Sequence, residues 1–397
     1  GLSELLRKFV ILYRKLLIVF LTIISFPLVI LIKFIEPIKK IRFGWFLGSR
    51  IGHFAFDVEY YLVKKYLENK SNTLDLFFYR WGKPANSYLA KLVEKKIIIK
   101  WWVEPLYHAH RILFNNESRI QPAIVQNESR DLNCLFSKVK NQLEFSQADQ
   151  KIGKAFFDKI GIKNEKIICM VVRDSAYLKF SDYHNYRDCD IKNFNEAALF
   201  LAEKGYYVFR MGKKMNKSLT INHPRIIDYA FDENKSDFLD IWIIANCFFC
   251  ISTGTGLDEI ARIFRKPAVY VNYLPLLSLV SYDNVITTPK HLIWKNSKIK
   301  LTLSEHLLNS FDSMEDYIKK NIEVKELSPS EILCAVKEIE SRLTGNYVDN
   351  EDDIELQNKF WNIFTSKNKD HKIRHKILHP KARIGSSFLK NNLEWLN

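Results

Sequence analysis

The hydrophobic and polar positions of this chain follow two regimes. Leu16 to Ile32 carries no charge and is interrupted only by Thr22, Ser25 and Pro27. Such a run sits at the short end of what a membrane-spanning helix needs. Arg7, Lys8, Arg14 and Lys15 precede it, and Lys33, Lys39, Lys40 and Arg42 follow it. A spanning helix carries its basic residues mainly on one side. Symmetrical basic flanks around a central proline suit an in-plane or re-entrant anchor on an anionic leaflet equally well. Pro37 and the basic cluster occupy the place of a cleavage site, which argues against a secretory leader. A core helix buried on every face remains open as a second reading.

Beyond Arg42 the period changes, and short apolar runs alternate with amphipathic stretches. Strands are expected over Ile41–Leu47, Leu74–Tyr79 and Ile97–Trp102, with helices through about Leu67 and over Asn86–Glu94. A second and clearer series begins with the continuous apolar run Ile167–Val172, as for a strand buried on both faces. Strands over Tyr206–Met211, Arg225–Tyr229, Cys247–Ile251 and Ala268–Val271 alternate with helices over Asn193–Lys204, Asp237–Ala245 and Leu257–Phe264. Interleaved strands and helices imply parallel sheets. The expected architecture is therefore α/β, with two Rossmann-like domains facing a cleft behind an apolar, membrane-associating N-terminal helix. Boundaries fall at 1–40 for the anchor, 41–145 and 146–345 for the two domains, and 346–397 for a basic, partly helical tail.

Charge narrows the partners. The chain of 397 residues holds 60 Lys and Arg against 45 Asp and Glu, a formal net charge of +15. That excess favours anionic partners: nucleic acid, anionic lipid or phosphorylated substrates. No nucleic-acid reader motif is present, and no clustered basic helix occurs outside the tail, so nucleic acid is not expected. The six cysteines are too scattered for a disulfide framework and point to a reducing compartment. Cys169, Cys247 and Cys250 lie in strand-like runs and read as small buried hydrophobes.

Three places carry candidate chemistry. The first is Ser252-Thr253-Gly254-Thr255-Gly256, between a buried strand and a helix. A strand–loop–helix corner of this kind aims backbone N–H groups at an anion, and glycines let the backbone approach it. Glu259 in the third glycine position excludes the dinucleotide fingerprint, and no Gly-Lys-Ser/Thr ending makes a Walker loop. Either a phosphate cradle or an ordinary tight turn fits the loop alone. Glu259 is within reach of a ribose in the first case.

The second place is a pair of strand ends. Arg173, with Asp174 and Ser175, follows Ile167–Val172, and Arg210, with Gly212 and Lys213, closes Tyr206–Met211. Strand ends of a parallel sheet face the ligand crevice, and a guanidinium fork suits a pyrophosphate. The third place is Arg50-Ile51-Gly52-His53, where His53 suits a general base and Asp57, one helical turn on, suits its partner or the base itself. A helix-terminal capping role is the alternative for His53. Cys247-x-x-Cys250 has no second pair, and His371, His375 and His379 lack a partner of another type, so no metal site is expected. His108 and His110 share no role.

These motifs, together with Tyr186-Arg187-Asp188 and Gly205–Gly212, resemble a family of bacterial glycosyltransferases from surface-polysaccharide gene clusters. The likeness runs from about residue 48 to 275, with an echo at Ala382–Leu389. It implies a GT-B fold, a nucleotide-sugar donor held mainly by the second domain, and neither a metal nor a cofactor. The position of Arg173 is also similar to the phosphate-gripping arginine of fucosyltransferase-like GT-B enzymes.

The function expected is transfer of a hexosyl or related sugar from a nucleotide donor to a lipid-linked or cell-surface glycan, at the cytoplasmic face of the bacterial inner membrane. Arg173, Arg210 and the Ser252–Gly256 loop would stabilise the leaving pyrophosphate. Trp81, Trp101 and Trp102 are candidates to stack on sugar rings, against a default role in the core. The alternative is a non-catalytic basic protein that binds membrane or nucleic acid, or a scaffold.

Overall fold

The computed structural model describes residues 2–69, 72–115, 119–126, 129–131, 133–176, 182–280, 282–370 and 381–397. The chain divides into two compact units, Gly1–Ser129 and Arg130–Asn397.

The first unit opens with helices Leu2–Ile24 and Phe26–Ile35, bent by 49° at Ser25. Local chemistry explains the break. The hydroxyls of Thr22 and Ser25 donate back to the carbonyls of Ile18 and Leu21, each at 2.7 Å, a contact that bends helices. Pro27 then brings no N–H to continue the ladder. Among the described residues no single helix is long and apolar enough to cross a membrane, although the bent pair passes that test together. Val29 of this segment is buried in the core of the unit, whereas Leu5, Phe9, Leu16, Phe20, Leu31 and Phe34 are exposed.

Behind these helices lies a four-stranded parallel sheet, in the order β3-β2-β1-β4, of β1 (Lys40–Phe46), β2 (Thr73–Tyr79), β3 (Ile98–Ile99) and β4 (Arg119–Ile120). Phe43, Trp45, Leu76 and Phe78 pack with Val103, Leu106 and Tyr107 of the helix Val103–Phe114. On the other face Phe46 and Phe77 stack at 4.6 Å beside Tyr61 of the helix Ile51–Glu68. β3 corrects the expected strand Ile97–Trp102. Only Ile98 and Ile99 join the ladder, the Lys100 N–H closes on the Phe77 carbonyl at 2.8 Å, and Trp101 and Trp102 turn into the helix. Pro105 sits in that helix's first turn, where a missing N–H costs nothing.

In the second unit seven parallel strands lie in the order β7-β6-β5-β8-β9-β10-β13. They are β5 (Ile167–Val171), β6 (Tyr207–Arg210), β7 (Ile226–Ile227), β8 (Phe249–Ser252), β9 (Ala268–Tyr273), β10 (Val285–Pro289) and β13 (Arg383–Ile384). The first six reproduce the doubly wound order in which the chain starts at the centre, runs to one edge, then returns to fill the other. β11 (His291–Trp294) and β12 (Ile322–Lys325) form a separate antiparallel pair.

Cys169 and Cys250 face each other across β5 and β8, both buried, as their apolar setting predicts. Residues 351–370 and 381–397 belong to this unit, where Phe360, Phe364, Phe388 and Trp395 join its core. Gln357 holds the outer strand by pairing its side-chain amide with both backbone groups of Ile384, at 2.6 and 3.2 Å. That pairing satisfies an edge otherwise open to another chain. His371, His375 and His379 lie outside the described residues.

Candidate functional site

The strand order of the second unit reverses between β5 and β8, and ligands of open parallel sheets bind just beyond the carboxyl ends of such a pair. Arg173 follows β5 and Ser252–Gly256 follows β8, so the sheet brings these two sequence signals together. The Arg173 N–H donates to Thr253 Oγ1 at 3.0 Å, and the Thr253 N–H to the Val171 carbonyl at 3.2 Å. The Arg173 side chain donates through Nε to Asp188 Oδ1 at 2.9 Å. Burial raises the Asp188 carboxyl above its ordinary range, against the lowering pull of Arg173.

Gly254 occupies the left-handed region (φ 74), and a Cβ there would lie 2.8 Å from the Tyr273 ring. Its N–H donates to Ser252 Oγ at 3.0 Å, the Thr255 N–H to Asp258 Oδ2 at 2.9 Å, and the Leu257 N–H to Thr255 Oγ1 at 3.3 Å. Two donors of the expected cradle, and that of Leu257 just beyond it, are thus engaged by nearby side chains. The helix that follows, Glu259–Ile263, is also shorter than expected. Two guanidinium groups lie at the same edge, that of Arg173 on Asp188 and that of Arg187 on the loop. Arg187 reaches the loop directly, donating through Nη2 to the Gly254 carbonyl. Arg187 belongs to the Tyr186-Arg187-Asp188 motif but lies outside the expected site residues.

Asp258 is buried at 2% exposure and accepts from Ser252 Oγ at 2.5 Å. Burial first, and then the charge of Glu259, push its carboxyl up to about 7. Glu259 itself lies 3.4 Å from Arg262, one turn along.

Arg210 closes β6 but turns inward. Its side chain is 1% exposed, with Nη1 on Asp228 Oδ1 at 3.0 Å and Nη2 on the Lys217 carbonyl at 2.9 Å. Asp228 also accepts the Leu219 N–H at 2.7 Å. The strand-end position is as expected, but the guanidinium fixes the loop after β6 and is committed to that scaffold. Gly212 lies in this loop, packed so that a Cβ would meet Met215 Sδ at 2.6 Å. Asp174 and Ser175 tie the same loop to the end of β5, accepting from the Asn216 N–H at 2.7 Å and Nδ2 at 3.0 Å. Lys213 pairs with Asp237 at 2.9 Å.

In the first unit, Gly48–His53 follows β1 at the carboxyl edge of the sheet, between the strands where its order reverses. His53 stands in the first turn of the helix Ile51–Glu68 and is partly exposed. Its Nδ1 lies 2.9 Å from Ser129 Oγ. Asp57 is 1% exposed and accepts the Ile124 N–H at 3.0 Å and the Ser129 hydroxyl at 3.1 Å, both on Oδ1. Asp57 therefore supports from within. Trp81 and Trp101 follow β2 and β3 at the same sheet edge and are 68% and 70% exposed, and Trp102 is 41% exposed, so the default core role fails for all three. Among the described residues no three His, Cys, Asp or Glu side chains cluster as a metal site.

No family model matches the chain, and no curated protein matches it in sequence. Solved structures do. A glycosyl transferase family 9 protein from Veillonella parvula aligns with a TM-score of 0.52 at 12% identity, covering 77% of this chain and 98% of the other. The ADP-heptose LPS heptosyltransferase II of E. coli aligns at 0.41 and 13% identity, over 77% and 99%. The iron-containing dodecameric glycosyltransferase TibC of enterotoxigenic E. coli aligns at 0.40 and 10% identity, over 77% of each chain. The first of these likenesses shows a shared fold, the parallel α/β architecture of GT-B glycosyltransferases.

Proposed function

We propose that the protein is a glycosyltransferase that takes its sugar from a nucleotide donor. One observation carries the reading: the Arg173 backbone N–H and the Arg187 guanidinium both bond the Ser252–Gly256 loop at the strand-order reversal of a doubly wound sheet, while Asp188 holds the Arg173 guanidinium at the end of β5. Fixed guanidinium groups at that point stabilise the charge that grows on a departing pyrophosphate, and they cost no reorganisation as it forms. Arg210, Asp174, Ser175, Gly212 and Lys213 shape the neighbouring wall, and Glu259 is assigned to the nucleoside. His53 of the first unit serves as the base for the acceptor hydroxyl, with Trp81 and Trp101 offering flat apolar faces to a glycan.

The acceptor is a lipid-linked or surface glycan, and the protein works on the cytoplasmic face of the bacterial inner membrane. The exposed apolar side chains of Leu2–Ile24 and Phe26–Ile35, bordered by Lys8, Arg14, Lys15, Lys33 and Lys40, support this placement. Apolar area combined with cationic flanks is what binds an anionic leaflet. No metal or cofactor is assigned.

Thermal-shift screening of the whole chain against ADP-, UDP-, GDP-, dTDP- and CMP-sugars tests the donor. One nucleotide should raise the melting temperature, and stabilisation by none would overturn the reading. Cosedimentation with vesicles of anionic or zwitterionic lipid tests the placement, which predicts retention by the anionic ones.

A further inference from the structure

We infer that Ser129 is a positioning residue that passes the charge of Asp57 to His53 and fixes which imidazole nitrogen carries the proton. Proton counting leads there. Asp57 Oδ1, as a carboxylate oxygen, only accepts, and it receives the Ile124 N–H at 3.0 Å and the Ser129 hydroxyl at 3.1 Å. The hydroxyl proton of Ser129 is thereby spent on Asp57. The contact of 2.9 Å between Ser129 Oγ and His53 Nδ1 then has one consistent polarity, with Nδ1–H donating to the oxygen. A neutral imidazole protonated at Nδ1 carries its lone pair on Nε2.

The arrangement is specified against local preference. Ser129 holds a left-handed backbone (φ 57), uncommon for a residue with a side chain. Asp57 and Ser129 are 1% and 5% exposed, so the carboxylate acts from the interior while His53 stays partly exposed. Charge on Asp57 also favours the imidazolium formed after proton transfer, conveyed through the hydroxyl dipole. The use of this device in deprotonating an acceptor rests on the transferase reading, but the tautomer does not.

The test separates the two. In the full chain labelled with ¹⁵N-histidine, long-range ¹H–¹⁵N correlation, with His53 assigned by its loss in His53→Gln, should show Nδ1 protonated and Nε2 bare at pH 8. Ser129→Ala should move His53 toward the Nε2–H form, and Ser129→Thr should restore the original pattern. Asp57→Leu, which removes the acceptor, should shift it as Ser129→Ala does, provided circular dichroism shows a native fold. An Nε2–H imidazole in the unmutated protein overturns the inference whatever the variants do. An unchanged tautomer in a folded Ser129→Ala also overturns it. If the tautomer is as stated while no nucleotide-sugar binds, the relay stands and the transferase reading falls.

Discussion

Thr253 Oγ1 accepts the backbone N–H of Arg173 at 3.0 Å, so β5 and β8 are joined just beyond their carboxyl ends, where the sheet's order reverses. Thr253 is fully buried. Thr253→Val keeps the shape and removes the acceptor, leaving a part-buried N–H unpaired at a cost of about 1–3 kcal/mol. The unfolding free energy from urea titration should fall by that amount, and nucleotide stabilisation should shrink with it. Thr253→Ser should preserve both.

Arg173 and Arg210 look alike in the sequence and should behave oppositely. Arg173→Ala should abolish the nucleotide-dependent thermal shift and cost the unliganded protein about 1–3 kcal/mol, the loss of a charged hydrogen bond to Asp188 in a pair 14% and 21% exposed. Arg210→Ala strands Asp228 within the loop after β6 and should cost about 3–5 kcal/mol, as when one partner of a buried pair is lost. Denaturant titration with and without nucleotide separates the two. Equal stability losses in both would contradict the assignment.

Gly254→Ala meets two obstacles, a left-handed backbone and a Cβ 2.8 Å from the Tyr273 ring. Strain of this kind costs about 1–3 kcal/mol. A lower melting temperature and loss of nucleotide binding are expected together.

Asp258 links the same loop to pH. Its carboxyl stands near 7 in the folded chain, raised by burial, against an ordinary 3.8. Between those values the folded state binds more protons than the unfolded one, so stability declines as pH rises from about 4 to about 7. Asp258→Asn should remove that decline. Urea midpoints across the range for both proteins decide the matter.

His306 contributes the opposite slope. Burial against Trp395 holds the imidazole down at about 3, below its ordinary 6.5. The unfolded chain therefore takes up the proton first, and stability is lost as pH falls from about 6.5 toward 3. A shallower acid limb is expected for His306→Leu.

The sequence made some of this legible and not the rest, for identifiable reasons. Ile167–Val171 and Phe249–Ser252 announced themselves because strands buried on both faces read as unbroken apolar runs. Arg173 and the glycine loop could be found because a parallel sheet places its strand ends at one edge. The same rule is silent on Asp228, the partner of the Arg210 guanidinium, which only the folded loop brings near. Ile97–Trp102 failed because an apolar run says little about whether its residues find a neighbouring strand, and only Ile98 and Ile99 do. Ser129 carried no signal, lying 72 positions from Asp57 in a sequence with no pattern around it.

The two units also differ in when they become complete during synthesis. Every strand of the first sheet lies before Ser129, whereas the second core awaits Phe388, Trp395 and Leu396, and its outer strand is made of residues 383–384. At ordinary ribosomal speeds, residues 130–397 take on the order of 10–50 s to emerge. Throughout that interval the apolar N-terminal helices stand exposed beside a finished small domain while the larger one is still open at its edge. An early docking of those helices would tether the nascent chain before its second half can collapse, converting a hazard of translation into an order of assembly.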